Sequence, residues 1–341
     1  MPPIAKPQLS RFASDTARGL ASEKQKSIPS RYFYDELGSV LFEAITLLPE
    51  YGLTRADERV LQTHSRELPK FIQDPIAVAE LGSGSGRKTR SILEALRAQP
   101  NDFSYVPIDV SSSALASCSK ELGDLASVEP ICADWQEGLA QFAELRRGSR
   151  PVLLLFLGSS IGNLERKCIP EFLRGIRACL RPGDFFLIGA DLVKDVSTML
   201  LAYDDPTGVT AAFNLNVLGR VNRELGAEFD LRTFAHEVRW NQAEGRIEMH
   251  LKCCGDQHVY IAALDETIAF RAGETIWTES SHKFTTVELD DYARASGFAS
   301  VTNWVDAEWP FAEALWRVDA TTATARPRSQ RKDLSRSSTT R

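Results

Sequence analysis

Between residues 76 and 190 short apolar runs alternate with longer amphipathic stretches. The short runs are Ile76–Leu81, Ser104–Ile108, Val128–Cys132, Val152–Leu157 and Asp184–Gly189. Two of them are continuously apolar, as expected for parallel strands covered on both faces. Arg87–Ala98 and Ser113–Leu122 carry helical patterning between them. Strand and helix in this rhythm predict a doubly wound parallel sheet.

The rhythm breaks at about residue 193. Helical stretches come first, then strand-like alternation in Glu248–Cys253 and Tyr260–Phe270. Thr285-Thr-Val-Glu288 has the spacing of a capping box and opens a helix that stops near Gly297. Two apolar runs, Phe298–Val305 and Phe311–Val318, then complete the sheet as a terminal hairpin. The expected fold is α/β: a Rossmann-like sheet domain over 57–192 and 284–320, with an inserted α+β lobe. Residues 1–56 and 193–283 form that lobe in this reading. There is no internal repeat. Residues 321–341 are rich in Ser, Thr and Arg, with almost nothing apolar to bury, and are expected to form a disordered basic tail.

Composition narrows the class. The 341 residues are 43% hydrophobic and 25% charged, with a formal net charge of -6. That balance argues against a nucleic-acid partner, which needs clustered positive charge. No run approaches the roughly 20 apolar residues of a membrane helix. The opening Met1-Pro-Pro-Ile-Ala-Lys lacks the layout of a signal peptide, and six cysteines without CxxC pairing read as reduced thiols. A cytoplasmic monomer acting on a small molecule is expected. No His/carboxylate spacing points to a metal.

The chemistry collects at three strand ends. The first strand runs into Glu80-Leu-Gly82-Ser-Gly84-Ser-Gly86-Arg-Lys88-Thr89. Alternate glycines let a backbone turn sharply and approach a ligand, at the start of a helix that favours anionic groups. The spacing is not that of a dinucleotide fingerprint, since the third glycine arrives one residue early. This disfavours a nucleotide-dependent oxidoreductase. The second strand ends at Asp109, an acid placed to accept from ribose hydroxyls. The third ends at Asp134-Trp135, suited to an adenine amine and its flat face. Each acid alone is more often a helix cap than a ligand. Three consecutive strand ends with this content point to a ligand crevice.

At this point the chain resembles the histidine Nα-methyltransferases of the ergothioneine pathway, from about Ile28 to Trp316. The likeness is carried by Arg31-Tyr-Phe-Tyr34-Asp35-Glu-Leu-Gly38, Leu48-Pro-Glu-Tyr51-Gly-Leu-Thr54-Arg55 and Leu157-Gly158-Ser-Ser-Ile-Gly162-Asn163. It continues through Ala202-Tyr203-Asp204-Asp205-Pro-Thr-Gly208, Asn222-Arg223-Glu224, Arg246-Ile-Glu-Met249 and Thr278-Glu279-Ser-Ser281-His-Lys283-Phe284. The resemblance implies S-adenosylmethionine as cofactor and methylation of the α-amino group of L-histidine. Up to three transfers would give N,N,N-trimethylhistidine (hercynine).

It also implies roles. Tyr34 would lie near the amino group, and Asn163 and Tyr203 would hold the amino-acid backbone, the three forming the catalytic set. Tyr51, Glu279 and Ser281 would frame the imidazole with Met249 beside them. Gly82, Lys88, Asp109, Asp134 and Trp135 would form the cofactor site. Gly52 departs from the family, which often has a second tyrosine there, and would loosen the pocket wall.

The residue types suit this reaction. The methyl donor is already activated, so the protein's tasks are to align a neutral amine and exclude water. The α-ammonium would lose its proton through a tyrosine hydroxyl or bound water, and aromatic faces suit the quaternary product. A carboxylate at Glu279 would make a charge-assisted hydrogen bond to an imidazole N–H. The rival acceptor is tryptophan or another aromatic amino acid, and a catalytically silent binding protein is the third possibility. Simpler accounts exist for single residues: Tyr34 and Tyr51 as core, Met249 as packing, Glu279 paired with Lys283 or Arg246.

Overall fold

The computed structural model describes residues 10–72, 76–97, 104–146 and 150–319. Among them, eight strands form one sheet. From one edge its order is Phe298–Val305, Phe311–Val318, Phe185–Asp191, Val152–Phe156, Ala77–Leu81, Ser104–Asp109 and Ser127–Val128, with Ile131–Cys132 also paired to Ser104–Asp109. The strands from Phe185–Asp191 to Ser127–Val128 run parallel, and the terminal hairpin is antiparallel. That hairpin, its preceding helix Thr286–Ala295 and the Thr285/Glu288 capping box are as the sequence predicts.

Every residue of Val152–Phe156 is buried, because both faces are covered. Leu154 and Phe156 pack with Phe142 and Ile176 on one side, and Leu153 and Leu155 with Ile92 and Leu93 on the other. Strand order reverses between Ala77–Leu81 and Val152–Phe156. The loops leaving those two strands therefore open a crevice at their carboxyl ends, and the glycine loop and Gly158 stand there.

A second sheet has the order Lys26–Ser27, Thr275–His282, Arg246–Cys253, Phe234–Asn241, with a separate hairpin of Gln257–Ile261 and Glu266–Phe270. Helices Arg11–Leu20, Glu36–Thr46, Val196–Tyr203 and Val209–Leu225 share a core with it, built on Phe12, Phe33, Met199, Phe213 and Leu251. Helix Gly52–His64 links the two bodies. Leu53 and Ala56 belong to the lobe core, and Val60 and Leu61 to the core on the main sheet.

Local differences have local causes. The run Val128–Cys132 is two short strands, because Pro130 between them has no N–H to give a ladder. Tyr260–Phe270 is a hairpin, turned at Asp265 with φ 53°. The helix expected over Arg87–Ala98 begins only at Arg90, after a turn through Gly86. No helix among the described residues is long and apolar enough to cross a membrane. The expected basic tail lies outside the described residues.

Candidate active site

A cavity of about 1420 Å³ lies between the strand-end crevice and the lobe, and every residue given a catalytic, substrate or cofactor role from the sequence lines it. One half is built by the main sheet. Gly82, Gly84 and Gly86 have φ of 71°, 53° and 76°, so the loop follows a path that side chains resist. At Gly86 a Cβ would come within 2.7 Å of Cys118 Sγ; at Gly84 it would meet nothing within 4 Å, so the loop faces open space. Asp109 holds the loop, accepting from Gly84 N at 3.0 Å and from Ser111 N at 2.9 Å.

Asp134 is a helix cap as well as a cavity residue. Its Oδ1 accepts from Gln136 N and Glu137 N, and its Oδ2 is paired with Arg11 Nη1 at 2.8 Å. Those backbone bonds and Arg11 hold its carboxyl below the usual range. Trp135 sets its edge against Phe156, with ring centroids 4.8 Å apart. Lys88 donates to the fully buried Asp57 at 2.7 Å, and Gly158 N shares that oxygen at 3.1 Å. Burial alone would lower the Lys88 pKa, but Asp57 outweighs it and the net shift is upward.

The other half is built by the lobe and the loop after Val152–Phe156. Asn163 closes the short helix Ser160–Asn163, entered through Ser159 in the left-handed region. Its amide makes no hydrogen bond among the described residues and is open to a ligand. Glu279 and Ser281 stand two apart on Thr275–His282, hence on one face. A bulge between Trp277 and Glu279 sets that face, leaving Glu279 opposite Met249. Thr278 pins the bulge, its hydroxyl oxygen 2.7 Å from Asn214 Oδ1 and 3.0 Å from Met249 O, sharing its one hydrogen between them.

The structural ion pair that would otherwise account for Glu279 is absent. Lys283 is paired with Asp191, and Arg246 with Glu165 and Glu248. Burial raises Glu279 to about 7, against the pull of the Lys283 charge.

The tyrosines converge on the same space. Tyr203 OH donates to Ser281 Oγ at 2.7 Å, and its ring lies 6.0 Å from that of Tyr51. Tyr34 is wedged edge-on between Phe42 and Phe213. All three phenols are pushed well above the usual value, first by burial, then by neighbouring charge or hydroxyls. They therefore keep their protons at neutral pH.

The loosened wall expected at Gly52 is also corrected. A Cβ there would fall 2.6 Å from Trp309 Cδ2 and 2.7 Å from Cζ3, so the indole already fills the space.

Residues 12–318 match the family described as histidine-specific methyltransferase, SAM-dependent. The chain belongs to this family. It is 44% identical over 293 residues to the histidine N-alpha-methyltransferase of Mycobacterium tuberculosis (strain CDC 1551 / Oshkosh), covering 85% of this chain and 90% of that one. Identity is 41% over 304 residues with the enzyme of the same name from Mycolicibacterium smegmatis, covering 88% and 93%. The ergothioneine biosynthesis protein 1 of Neurospora crassa matches at 30%, over 82% of this chain and 32% of its own length. This histidine-specific methyltransferase family member is thus an S-adenosylmethionine-dependent enzyme. The open glycine loop, the indole of Trp135 and the carboxylates at the strand ends fit such a cofactor.

Several residues of this family member were given no role in the site from sequence. Asp57 is the buried partner of Lys88, and Arg11 reaches Asp134 from the far side of the cavity. Lys283 and Asp191 lie fully buried behind Ser281. For Lys283 a signal was present: it continues the period-two face of Glu279 and Ser281.

Proposed function

We propose that the chain methylates the α-amino group of free L-histidine, up to three times, giving N,N,N-trimethylhistidine. The observation that carries this reading is the placement of Glu279 and Ser281. A half-buried carboxyl with no ion pair among the described residues and a hydroxyl stand side by side on the wall facing the rest of the cavity. Such a pair suits a five-membered ring with polar nitrogens and is poorly matched to a purely apolar face. The mycobacterial relatives are named histidine N-alpha-methyltransferases.

In this reading Gly82, Lys88, Asp109, Asp134 and Trp135 hold the cofactor, which supplies an activated methyl group. Residues 57–192 and 284–320 serve as the cofactor domain, and 1–56 with 193–283 as the substrate lobe. Asn163 offers both a donor and an acceptor, so it can hold the amine or the carboxylate. Tyr34 and Tyr203 supply hydroxyl oxygens and ring faces that steady the ammonium and its methylated products. The proton shed by the α-ammonium leaves through a tyrosine hydroxyl or bound water. Tyr51, Met249, Glu279 and Ser281 hold the imidazole and so set the distance of the amine from the methyl. We read the protein as a cytoplasmic monomer with no nucleic-acid or membrane partner.

The test is mass spectrometry of purified protein with S-adenosylmethionine and L-histidine. Products heavier by one, two and three methyl groups, with fragmentation placing all of them on the α-nitrogen, are expected. Methylation of the ring instead, or none, overturns the reading.

A further inference from the structure

Lys283 lies buried behind the lobe wall, and the reading above has no use for it. Its side chain is 0% exposed, and it directly follows the strand Thr275–His282. A buried ammonium must find partners for its hydrogens or cost several kcal/mol. Lys283 finds three: Asp191 Oδ2 at 2.8 Å, Tyr203 OH at 3.0 Å and Ser281 Oγ at 2.9 Å. Asp191 is itself fixed, with Oδ1 accepting from Lys194 at 2.6 Å and from Trp309 Nε1 at 3.0 Å. With all three N–H groups committed, Lys283 is locked in one orientation.

The consequence falls on Ser281. A hydroxyl has one hydrogen and two lone pairs. An ammonium only donates, so one lone pair of Ser281 Oγ is taken by Lys283. Tyr203 takes the other, since its oxygen already accepts from Lys283 and a phenol is the stronger donor toward an alkanol. Ser281 has then no acceptor capacity left. Its single hydrogen remains, and Ser281 lines the cavity two residues along the strand from Glu279.

We propose that Lys283 is a positioning residue that fixes Ser281 as an obligate hydrogen-bond donor, so that the pocket reads a ring bearing one N–H and one bare nitrogen. Glu279 takes the N–H and Ser281 reaches the bare nitrogen. This pattern is that of a neutral imidazole. It excludes a ring with two N–H groups, such as an imidazolium, and disfavours a ring with one N–H and no bare nitrogen, such as a pyrrole or indole. The inference rests on the proposed histidine reading and assigns the source of its selectivity.

The test compares kcat/KM for histidine with two analogues. β-Pyrrolylalanine, as its 2-yl and 3-yl isomers, keeps an N–H and lacks the bare nitrogen. β-Thiazolylalanine keeps the bare nitrogen and lacks the N–H. The wild-type protein prefers histidine over either pyrrolyl isomer by about tenfold or more, the worth of one good hydrogen bond. In Ser281→Ala that preference collapses to within about threefold, mainly through KM. In Lys283→Met the pyrrolyl preference collapses likewise, because Ser281 is free to accept. The thiazolyl preference, which Glu279 sets, stays as in the wild type. The double variant collapses no further than either single one, as expected of groups acting through each other.

If Lys283→Met does not fold, Tyr203→Phe serves. It frees one lone pair of Ser281, leaves the Lys283–Asp191 pair in place and relaxes the pyrrolyl preference. A pyrrolyl preference unchanged in Ser281→Ala, or variants at 283 and 203 that move both preferences equally, overturns the proposal. If the wild-type protein does not methylate histidine, the functional reading fails. If it does and the preferences do not move, only the role of Lys283 fails.

Discussion

Trp309 occupies the volume that any side chain at position 52 would need, and its indole N–H is tied to Asp191 at 3.0 Å. The two residues are 257 apart in sequence and are a packed pair in the fold. Lys194 lies over the same indole, 4.8 Å from its centroid, and pairs with Asp191 as well. The glycine is therefore a condition for how the carboxylate behind the active site is held.

Gly52→Ala is accordingly expected to destabilise the protein by roughly 1–3 kcal/mol, the usual cost of overpacking a filled site. Chemical denaturation of wild type and variant checks this. Gly52→Ala with Trp309→Ala should recover part of the loss, since the second change vacates the space; no recovery would show that the clash is not with Trp309.

Glu279→Ala removes the acceptor offered to a ring N–H. A charge-assisted bond of about 1.5–3 kcal/mol corresponds to a loss of roughly ten- to a hundredfold in kcat/KM for histidine. The loss should be much smaller for tryptophan, so the ratio of the two shifts toward the larger ring. Steady-state kinetics with both amino acids reads it directly, and an unmoved ratio removes Glu279 from the specificity wall.

The same carboxyl makes a pH prediction for the empty protein. Its pKa is raised from 4.5 to about 7 by burial. Between those values the unfolded chain has lost the proton and the folded chain still holds it, so stability falls as pH rises. Below about 4.5 both forms are protonated and above about 7 both are ionised, so the slope is confined to that window. Glu279→Gln lacks this contribution. The melting temperature of the variant minus that of wild type should therefore grow from pH 4.5 to pH 7 and then level. A flat difference would place Glu279 in a more open setting.

Asp134 carries two jobs that can be separated. As a cap on the helix Trp135–Leu145 it contributes about 1 kcal/mol, which Asp134→Ala removes. Its ion pair with the exposed Arg11 is worth no more than about 1 kcal/mol. If Asp134 also meets the adenine amine, Asp134→Ala weakens S-adenosylhomocysteine binding about tenfold, whereas Arg11→Ala does not. Calorimetric titration of both variants decides; equal affinities would reduce Asp134 to a cap.

What the sequence made legible was what depends on local pattern. Continuous apolar runs marked the buried parallel strands, and Thr285 with Glu288 marked a helix start that the structure repeats. The i, i+2 spacing of Glu279 and Ser281 already put them on one strand face, while the bulge at Trp277 that turns this face was not readable. Positions set by distant packing were illegible. Gly52 looked like a gap because Trp309, which fills it, comes from the far end of the chain. Lys283 looked like a candidate partner for Glu279, because nothing local indicates that Asp191, from the other sheet, claims it first. Asp57 gave no sign of itself, since its link to Lys88 joins a helix of the N-terminal segment to the glycine loop.

The most direct test of the central claim is a competition. Purified protein is given S-adenosylmethionine and an equimolar mixture of histidine, tryptophan, tyrosine and phenylalanine, and consumption of each is followed by mass spectrometry. Histidine alone should be consumed at an appreciable rate and should accumulate methyl groups on its α-nitrogen. Preferential consumption of tryptophan or another aromatic amino acid would leave the fold and cofactor intact and contradict the assignment of Glu279 and Ser281 as an imidazole site.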